Sequence, residues 1–160
     1  IGPLSFVIIN YISYKKKLFV AMERGGGKED LGTVYYAISL LILALVTFSS
    51  CSTPVTGAFG ILIMGYGDGM AAVIGKRFGR KKIRIWGGEK SLEGSLTMFI
   101  ISFITACLLY SIFTGSGNFT KSILIAFSAA VLEMFTPYGF DNLTVPIGTS
   151  FLYWCLTSLT

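Results

Sequence analysis

The chain has 160 residues, of which 53% are hydrophobic and 13% charged, with a formal net charge of +5. A soluble domain carries about 25% charged residues, so this composition argues against a hydrated globular surface and for membrane segments joined by basic loops. The sequence contains no histidine, which excludes a Ser-His-Asp triad, a histidine-ligated metal and a histidine general base within this chain.

Six apolar segments follow one another along the chain, and we expect each to be helical. The first, residues 4–12, is short for a span and is interpreted as the end of a partial one, so we expect that the true N-terminus is missing before Ile1. The other five are predicted to cross the membrane: about residues 33–50, 55–75, 96–113, 122–135 and 143 to the end. The predicted fold is therefore an all-α transmembrane bundle with five full spans and one partial N-terminal span, in one catalytic domain over residues 1–160.

The basic loops predict an orientation. Loops 15–30 and 76–94 are both basic and are separated by two spans, so both fall on the side that the positive-inside rule makes cytoplasmic. Two further spans bring residues 136–142 back to that side, while the turns at 49–54 and 114–120 carry no Lys or Arg. We expect an integral protein of the cytoplasmic membrane of a prokaryote, and its net charge then reflects topology and not nucleic-acid binding.

An acidic residue stands inside the second predicted full span, in the run Gly65-Tyr66-Gly67-Asp68-Gly69. An acid within a span costs roughly 2.5–3.5 kcal/mol, so it usually faces a polar cavity, a cation or a partner. A helix-packing face is the alternative, and it explains the glycines but not the aspartate. The run is not a P-loop, because that motif follows a strand and none is evident, and because Gly75-Lys76 is followed by Arg77.

The loop that follows combines basic residues with glycines, a combination that suits a polyphosphate. Ser91 and Ser95 are expected to cap the next helix or to bind phosphate oxygens. Glu93 and Asp68 are candidate Mg²⁺ ligands. For residues 80–84 we favour the alternative of a topology signal or a contact with anionic lipid.

A third group consists of Glu133, in an apolar run, and the pair Asp141-Asn142 at the start of the last segment. Helix capping is an alternative role for the pair. All three groups fall at the cytoplasmic ends of predicted spans. They can therefore form one pocket at the membrane face, open to a soluble phosphate donor and to a lipid.

Three motifs carry a family resemblance: GDGMAAVIGKRFG at 67–79, KSLEGS at 90–95 and DNLTVP at 141–146. In this order they resemble the CTP-dependent lipid kinases, a group that includes phytol kinase, dolichol kinase and the CTP-type diacylglycerol kinase, and more distantly the phosphatidate cytidylyltransferases. The resemblance covers about residues 15–160. It implies phosphoryl transfer from CTP to a lipid alcohol with Mg²⁺, at a site that includes Asp68, Gly75, Lys90, Ser91, Glu93, Asp141 and Asn142. The family's Arg-Lys pair before the first span is not found here.

Each of these residues has an expected role. Asp68, Glu133 and Asp141 are the predicted catalytic acids, and Asp68, Glu93 and Asp141 the predicted metal ligands. The predicted contacts to the nucleotide phosphates are Gly69, Gly75, Lys76, Gly79, Lys90, Ser91, Gly94, Ser95 and Asn142. The expected partners are CTP, the bilayer and a lipid alcohol such as phytol, a polyprenol or diacylglycerol. A phosphatidate cytidylyltransferase, a small transporter and a non-catalytic membrane fragment remain alternatives.

Overall fold

A computed structural model describes residues 2–16, 31–49, 53–85 and 88–158. Within these ranges the chain is helical apart from one hairpin, which confirms the all-α fold class. Most of the predicted polar loop 15–30 lies outside the described residues. The elements in chain order are α1 (Gly2–Lys16), α2 (Gly32–Thr47), α3 (Pro54–Leu62), a π-helical segment (Ile63–Asp68), α4 (Gly69–Phe78), β1 (Lys82–Ile85), β2 (Gly88–Ser91), α5 (Leu92–Thr114), α6 (Phe119–Phe135) and α7 (Asp141–Ser158).

Local signals explain where several helices begin and end. Pro54 occupies the first turn of α3, where a missing backbone N–H costs nothing. Gly115 ends α5 in the left-handed conformation, with φ of 73°. Asn118 caps α6 by accepting a hydrogen bond from the Lys121 backbone N–H at 3.1 Å. The predicted segment ends therefore fall within a few residues of the helix ends.

The π-helical segment joins α3 to α4 without a break, so residues 54–78 form one continuous helical rod. Its last residue is Asp68, which is buried. A π-helical turn widens the helix locally and is frequent at functional sites. This turn contains Gly67, where a Cβ would lie 2.7 Å from the Met98 Sδ of α5. The rod therefore packs closely against α5 beside the buried acid.

Two described helices are long and apolar enough to cross a membrane, Val55–Phe78 and Leu92–Thr114. The helices α2 and α6 have 16 and 17 residues, shorter than the about 20 residues of a typical span. The 18-residue α7 includes Asp141 in its first turn. The prediction of five full spans is therefore not confirmed.

The helices pack around a core between α3, α5, α6 and α7. Phe59 of α3 stacks on Tyr153 of α7, with ring centroids 4.0 Å apart. Nearby, a Cβ on Gly60 would overlap the carbonyl oxygen of Pro146, so α3 and α7 cross at close contact. These contacts bring the end of the π-helical segment and the start of α7 into one bundle.

The region 76–94, predicted to be a basic loop, contains regular structure. Strands β1 and β2 form an antiparallel hairpin in which Lys82 pairs with Ser91 and Ile83 with Lys90. The sequence Lys82-Ile83-Arg84-Ile85 alternates charged and apolar side chains, which is the period of a strand. Because β2 ends at Ser91 and α5 begins at Leu92, the hairpin places Lys90 beside the start of α5.

One face of α5 exposes an aliphatic side chain at every fourth position. These side chains are between 45 and 71% exposed, and they are Leu96, Ile100, Ile104, Leu108 and Ile112. The stripe extends for about 24 Å along the helix. An exposed apolar face of this length fits contact with an apolar environment better than contact with water.

Candidate functional site

Three acidic side chains meet at one end of the bundle. Asp68 ends the π-helical segment, Glu133 lies in the last turn of α6, and Asp141 begins α7. They are only 4, 5 and 3% exposed, and one carboxylate oxygen of each lies within 4.8 Å of the others. We call this group the acid cluster. Its residues come from three helices, so packing of the bundle and not local sequence assembles it.

A lysine side chain binds two members of the acid cluster. The Lys90 ammonium, carried by β2, donates to Glu133 Oε1 at 2.7 Å and to Asp141 Oδ2 at 2.6 Å. Burial lowers the pKa of Lys90, but the charges of Asp141 and Glu133 and their hydrogen bonds outweigh it, so the net pKa is raised. Lys90 is therefore a firmly charged counter-ion for the cluster.

The remaining oxygens of these two acids are also bonded. The hydroxyl of Ser95 in α5 donates to Glu133 Oε2 at 2.9 Å, in a buried position. The backbone N–H of Asn142 donates to Asp141 Oδ1 at 3.0 Å. Both carboxyl groups are thus held in fixed orientations, which is the preorganisation that a catalytic or metal-binding acid requires.

The acid cluster fits a divalent cation. Magnesium prefers oxygen ligands and takes carboxylates at about 2.0–2.1 Å, so oxygens already within 4.8 Å of one another need only a small movement to converge on one ion. Asp68, Glu133 and Asp141 are therefore the residues that would hold Mg²⁺.

The predicted ligand Glu93 lies elsewhere. Its carboxylate oxygens accept hydrogen bonds from the Lys81 backbone N–H at 3.3 and 3.4 Å. This contact ties the start of β1 to the first turn of α5. The structure does not bring Glu93 into the acid cluster, whereas Glu133, predicted only as a catalytic acid, lies within it.

Ser91 is surrounded by three of the glycines predicted to bind phosphate. Its hydroxyl accepts a hydrogen bond from the Gly94 backbone N–H at 3.1 Å and caps α5. A Cβ on Gly75, Gly79 or Gly94 would lie 2.9 Å from that hydroxyl. The observed role of these glycines is to let α4 approach the start of α5 closely, and their contact with phosphate stays a prediction.

The other predicted phosphate contacts lie toward solvent. Lys76 is exposed on α4, and Gly69 is exposed with no atom within 4 Å of a notional Cβ. Gly69 directly follows Asp68 in the chain, but it lies on the exposed side of the helical rod, whereas Asp68 is buried. Asn142 lies next to Asp141, and its side-chain amide donates to the Gly139 carbonyl at 3.2 Å.

Sequence reasoning missed the ion pairs of Lys90 and the contact of Ser95 with Glu133. The sequence predicts phosphate contacts for Lys90 and Ser95, and helix capping as the other role of Ser95. In the structure Ser91 is the residue that caps α5. The sequence does contain a signal for the ion pairs. Acids in apolar segments need a cation, and Lys90 is the first lysine after the basic stretch 76–84.

The chain is similar to proteins named phytol kinase. It is 38% identical over 151 residues to the phytol kinase of Synechocystis sp., covering 91% of this chain and 63% of that protein. It is 34% identical over 151 residues to a probable chloroplastic phytol kinase of Triticum aestivum, covering 87% of this chain and 49% of that protein. With phytol kinase 1 of Arabidopsis thaliana, also chloroplastic, the identity is 29% over 150 residues, covering 86% and 48%.

The chain thus spans between about half and just under two thirds of the length of these relatives. No family model and no solved structure matches it. The similarity to these phytol kinases covers between 86 and 91% of this chain. On these findings the chain is similar, over most of its own length, to the phytol kinases.

Proposed function

We propose that the protein transfers the γ-phosphoryl group of CTP to a lipid alcohol at the acid cluster, with Mg²⁺ as cofactor. The observation that carries the proposal is the burial of Asp68, Glu133 and Asp141 around one lysine at the end of the bundle. The phytol kinase relatives support a lipid alcohol as the acceptor, and phytol is the acceptor we propose first.

Phosphoryl transfer requires positioning and charge neutralisation more than covalent chemistry, so buried acids and nearby lysines are suitable groups. Bound at the cluster, Mg²⁺ would neutralise charge on the donor phosphates. Lys90 in the acid cluster and the exposed Lys76 on α4 supply further positive charge.

The proposed step balances as follows. The hydroxyl oxygen of the lipid attacks the γ-phosphorus of CTP, and the bond from that phosphorus to the β–γ bridging oxygen breaks. CDP leaves with the bond electrons, and the hydroxyl proton passes to the carboxylate of Asp141 or Glu133. These acids are held at fixed orientations by Asn142 and Ser95, so either can orient the hydroxyl before transfer.

A membrane location explains how such an acceptor reaches the site. The aliphatic stripe on α5 and exposed Phe119, Phe127 and Phe135 on α6 give the bundle an apolar exterior. The acid cluster lies at the end of the bundle that also carries the basic hairpin. We therefore propose an integral membrane protein whose site opens at the basic face, where a lipid hydroxyl and a soluble nucleotide can meet.

The test is transfer of label by the purified protein in lipid vesicles. With CTP labelled at the γ-position, phytol, dolichol and diacylglycerol are offered separately, and ATP replaces CTP in parallel. We expect labelled phytyl phosphate and unlabelled CDP, with CTP preferred. A parallel reaction offers CTP labelled at the α-position with phosphatidate, and release of pyrophosphate with α-label in the lipid would instead identify a cytidylyltransferase. No transfer to any of the three alcohols from either nucleotide would contradict the proposal.

A further inference from the structure

The Lys90 ammonium binds two of the three acids that would hold a metal ion. It binds Glu133 Oε1 and Asp141 Oδ2 at 2.7 and 2.6 Å. The second oxygens of the two acids accept hydrogen bonds from the Ser95 hydroxyl and the Asn142 N–H. The two oxygens bound to Lys90 are therefore those that a cation in the cluster would take.

We propose that Lys90 is an exchangeable cation, which holds the acid cluster together in the nucleotide-free protein and leaves it when a divalent metal binds. This inference rests on the proposed function, because it assumes that the cluster receives a metal. A lysine ammonium and a divalent ion on the same two oxygens would repel each other at close range, so the two cations compete.

The position of Lys90 allows the exchange. Its side chain is 22% exposed, whereas those of Glu133 and Asp141 are 7 and 5% exposed. The ammonium is carried on a flexible four-carbon stem and projects from a two-stranded hairpin, so it can leave without unpacking a helix. Once released, the ammonium is free to neutralise a donor phosphate. Lys90 is thus a positioning residue in one state and a phosphate contact in the other.

Metal binding without nucleotide or lipid tests the exchange. Free Mn²⁺ is measured by electron paramagnetic resonance in titrations of the wild type, Lys90→Met and the matched control Lys82→Met. Lys82 lies on the same hairpin but pairs with exposed Glu89, at 3.1 Å. We expect Lys90→Met to bind Mn²⁺ at least about tenfold more tightly than the wild type, since a competing charge has been removed. Lys82→Met should match the wild type. Unchanged or weaker binding by Lys90→Met would overturn the exchange.

A second measurement uses the wild type and does not depend on the folding of a variant. Lysine acetylation is followed by peptide mass spectrometry with and without saturating Mn²⁺. We expect acetylation of Lys90 to rise several-fold with the metal, because its amine moves from two carboxylates into solvent, while acetylation of Lys82 stays constant. Equal acetylation of Lys90 in both conditions would contradict the exchange. Neither experiment contains nucleotide or acceptor. Their results therefore test the exchange even if the protein does not transfer a phosphoryl group.

Discussion

Replacing Glu133 by glutamine tests whether the buried ion pair with Lys90 matters for both folding and chemistry. Glutamine keeps the size of the side chain and one acceptor oxygen but removes the charge that faces the ammonium at 2.7 Å. A hydrogen bond to a charged group contributes about 1.5–3 kcal/mol, and a neutral one about 0.5–1.5 kcal/mol. The substitution should therefore cost about 1–1.5 kcal/mol, which corresponds to a fall of roughly 2–6 °C in the unfolding midpoint. Asp141 continues to hold Lys90, so the protein should still fold.

The matched control is Glu89→Gln in the hairpin. Glu89 pairs with Lys82 at 3.1 Å, but their side chains are 42 and 66% exposed, and exposed pairs contribute about 0–1 kcal/mol. We expect this variant to unfold and to transfer phosphate like the wild type, whereas Glu133→Gln should lose about 100-fold or more in transfer rate. Midpoints come from thermal unfolding in detergent, and rates from labelled CTP. Equal midpoints and equal rates for the two variants would refute the reasoning.

Three further predictions concern packing, support of the acid cluster and pH. Gly60→Ala places a methyl group against a backbone carbonyl of α7 and should cost about 1–3 kcal/mol, whereas Gly69→Ala meets no atom and should leave the unfolding midpoint unchanged. Ser95→Ala leaves Glu133 Oε2 without its 2.9 Å donor, and we expect a loss of about 1–3 kcal/mol in unfolding free energy together with slower transfer. The pKa of Lys90 lies above its ordinary 10.5, so its contribution to stability is complete below about pH 10.5 and is lost as the pH rises through the folded value. The difference in unfolding midpoint between wild type and Lys90→Met should therefore stay constant from about pH 6 to about pH 9 and shrink above pH 10.5. A difference that already shrinks below pH 9 would contradict the raised pKa of Lys90.

Helices were predictable because their signals are local. Long apolar runs bounded by Pro54, Gly115 and Asn118 define α3, α5 and α6 to within a few residues. The hairpin was missed although Lys82–Ile85 alternates, because four residues between glycines and lysines give a weak signal. The π-helical segment has no local signal of this kind, since an apolar sequence with glycines fits an α-helix equally well.

The acid cluster was partly predictable from topology. Acids at corresponding ends of neighbouring helices share one end of a bundle, so Asp68, Glu133 and Asp141 could be expected to meet. The sequence indicates that these acids need a cation, but it does not show that Lys90 contacts them, because the contacts link residues 43 and 51 positions apart in the chain. Glu93 shows the opposite case: a motif placed it in the site, but its carboxylate turns to the Lys81 backbone.

The most direct test of the account is metal-dependent phosphoryl transfer by Asp68→Asn beside the wild type and Glu89→Gln, in lipid vesicles. Asp68 is the member of the acid cluster that comes from the helical rod, and asparagine retains its size while removing its charge. We expect wild type and Glu89→Gln to transfer γ-label from CTP to phytol only when Mg²⁺ is present, and Asp68→Asn to lose about 100-fold or more at every Mg²⁺ concentration. Transfer by Asp68→Asn at the wild-type rate, or wild-type transfer that persists in excess chelator, would contradict the claim that the acid cluster is the site of the reaction.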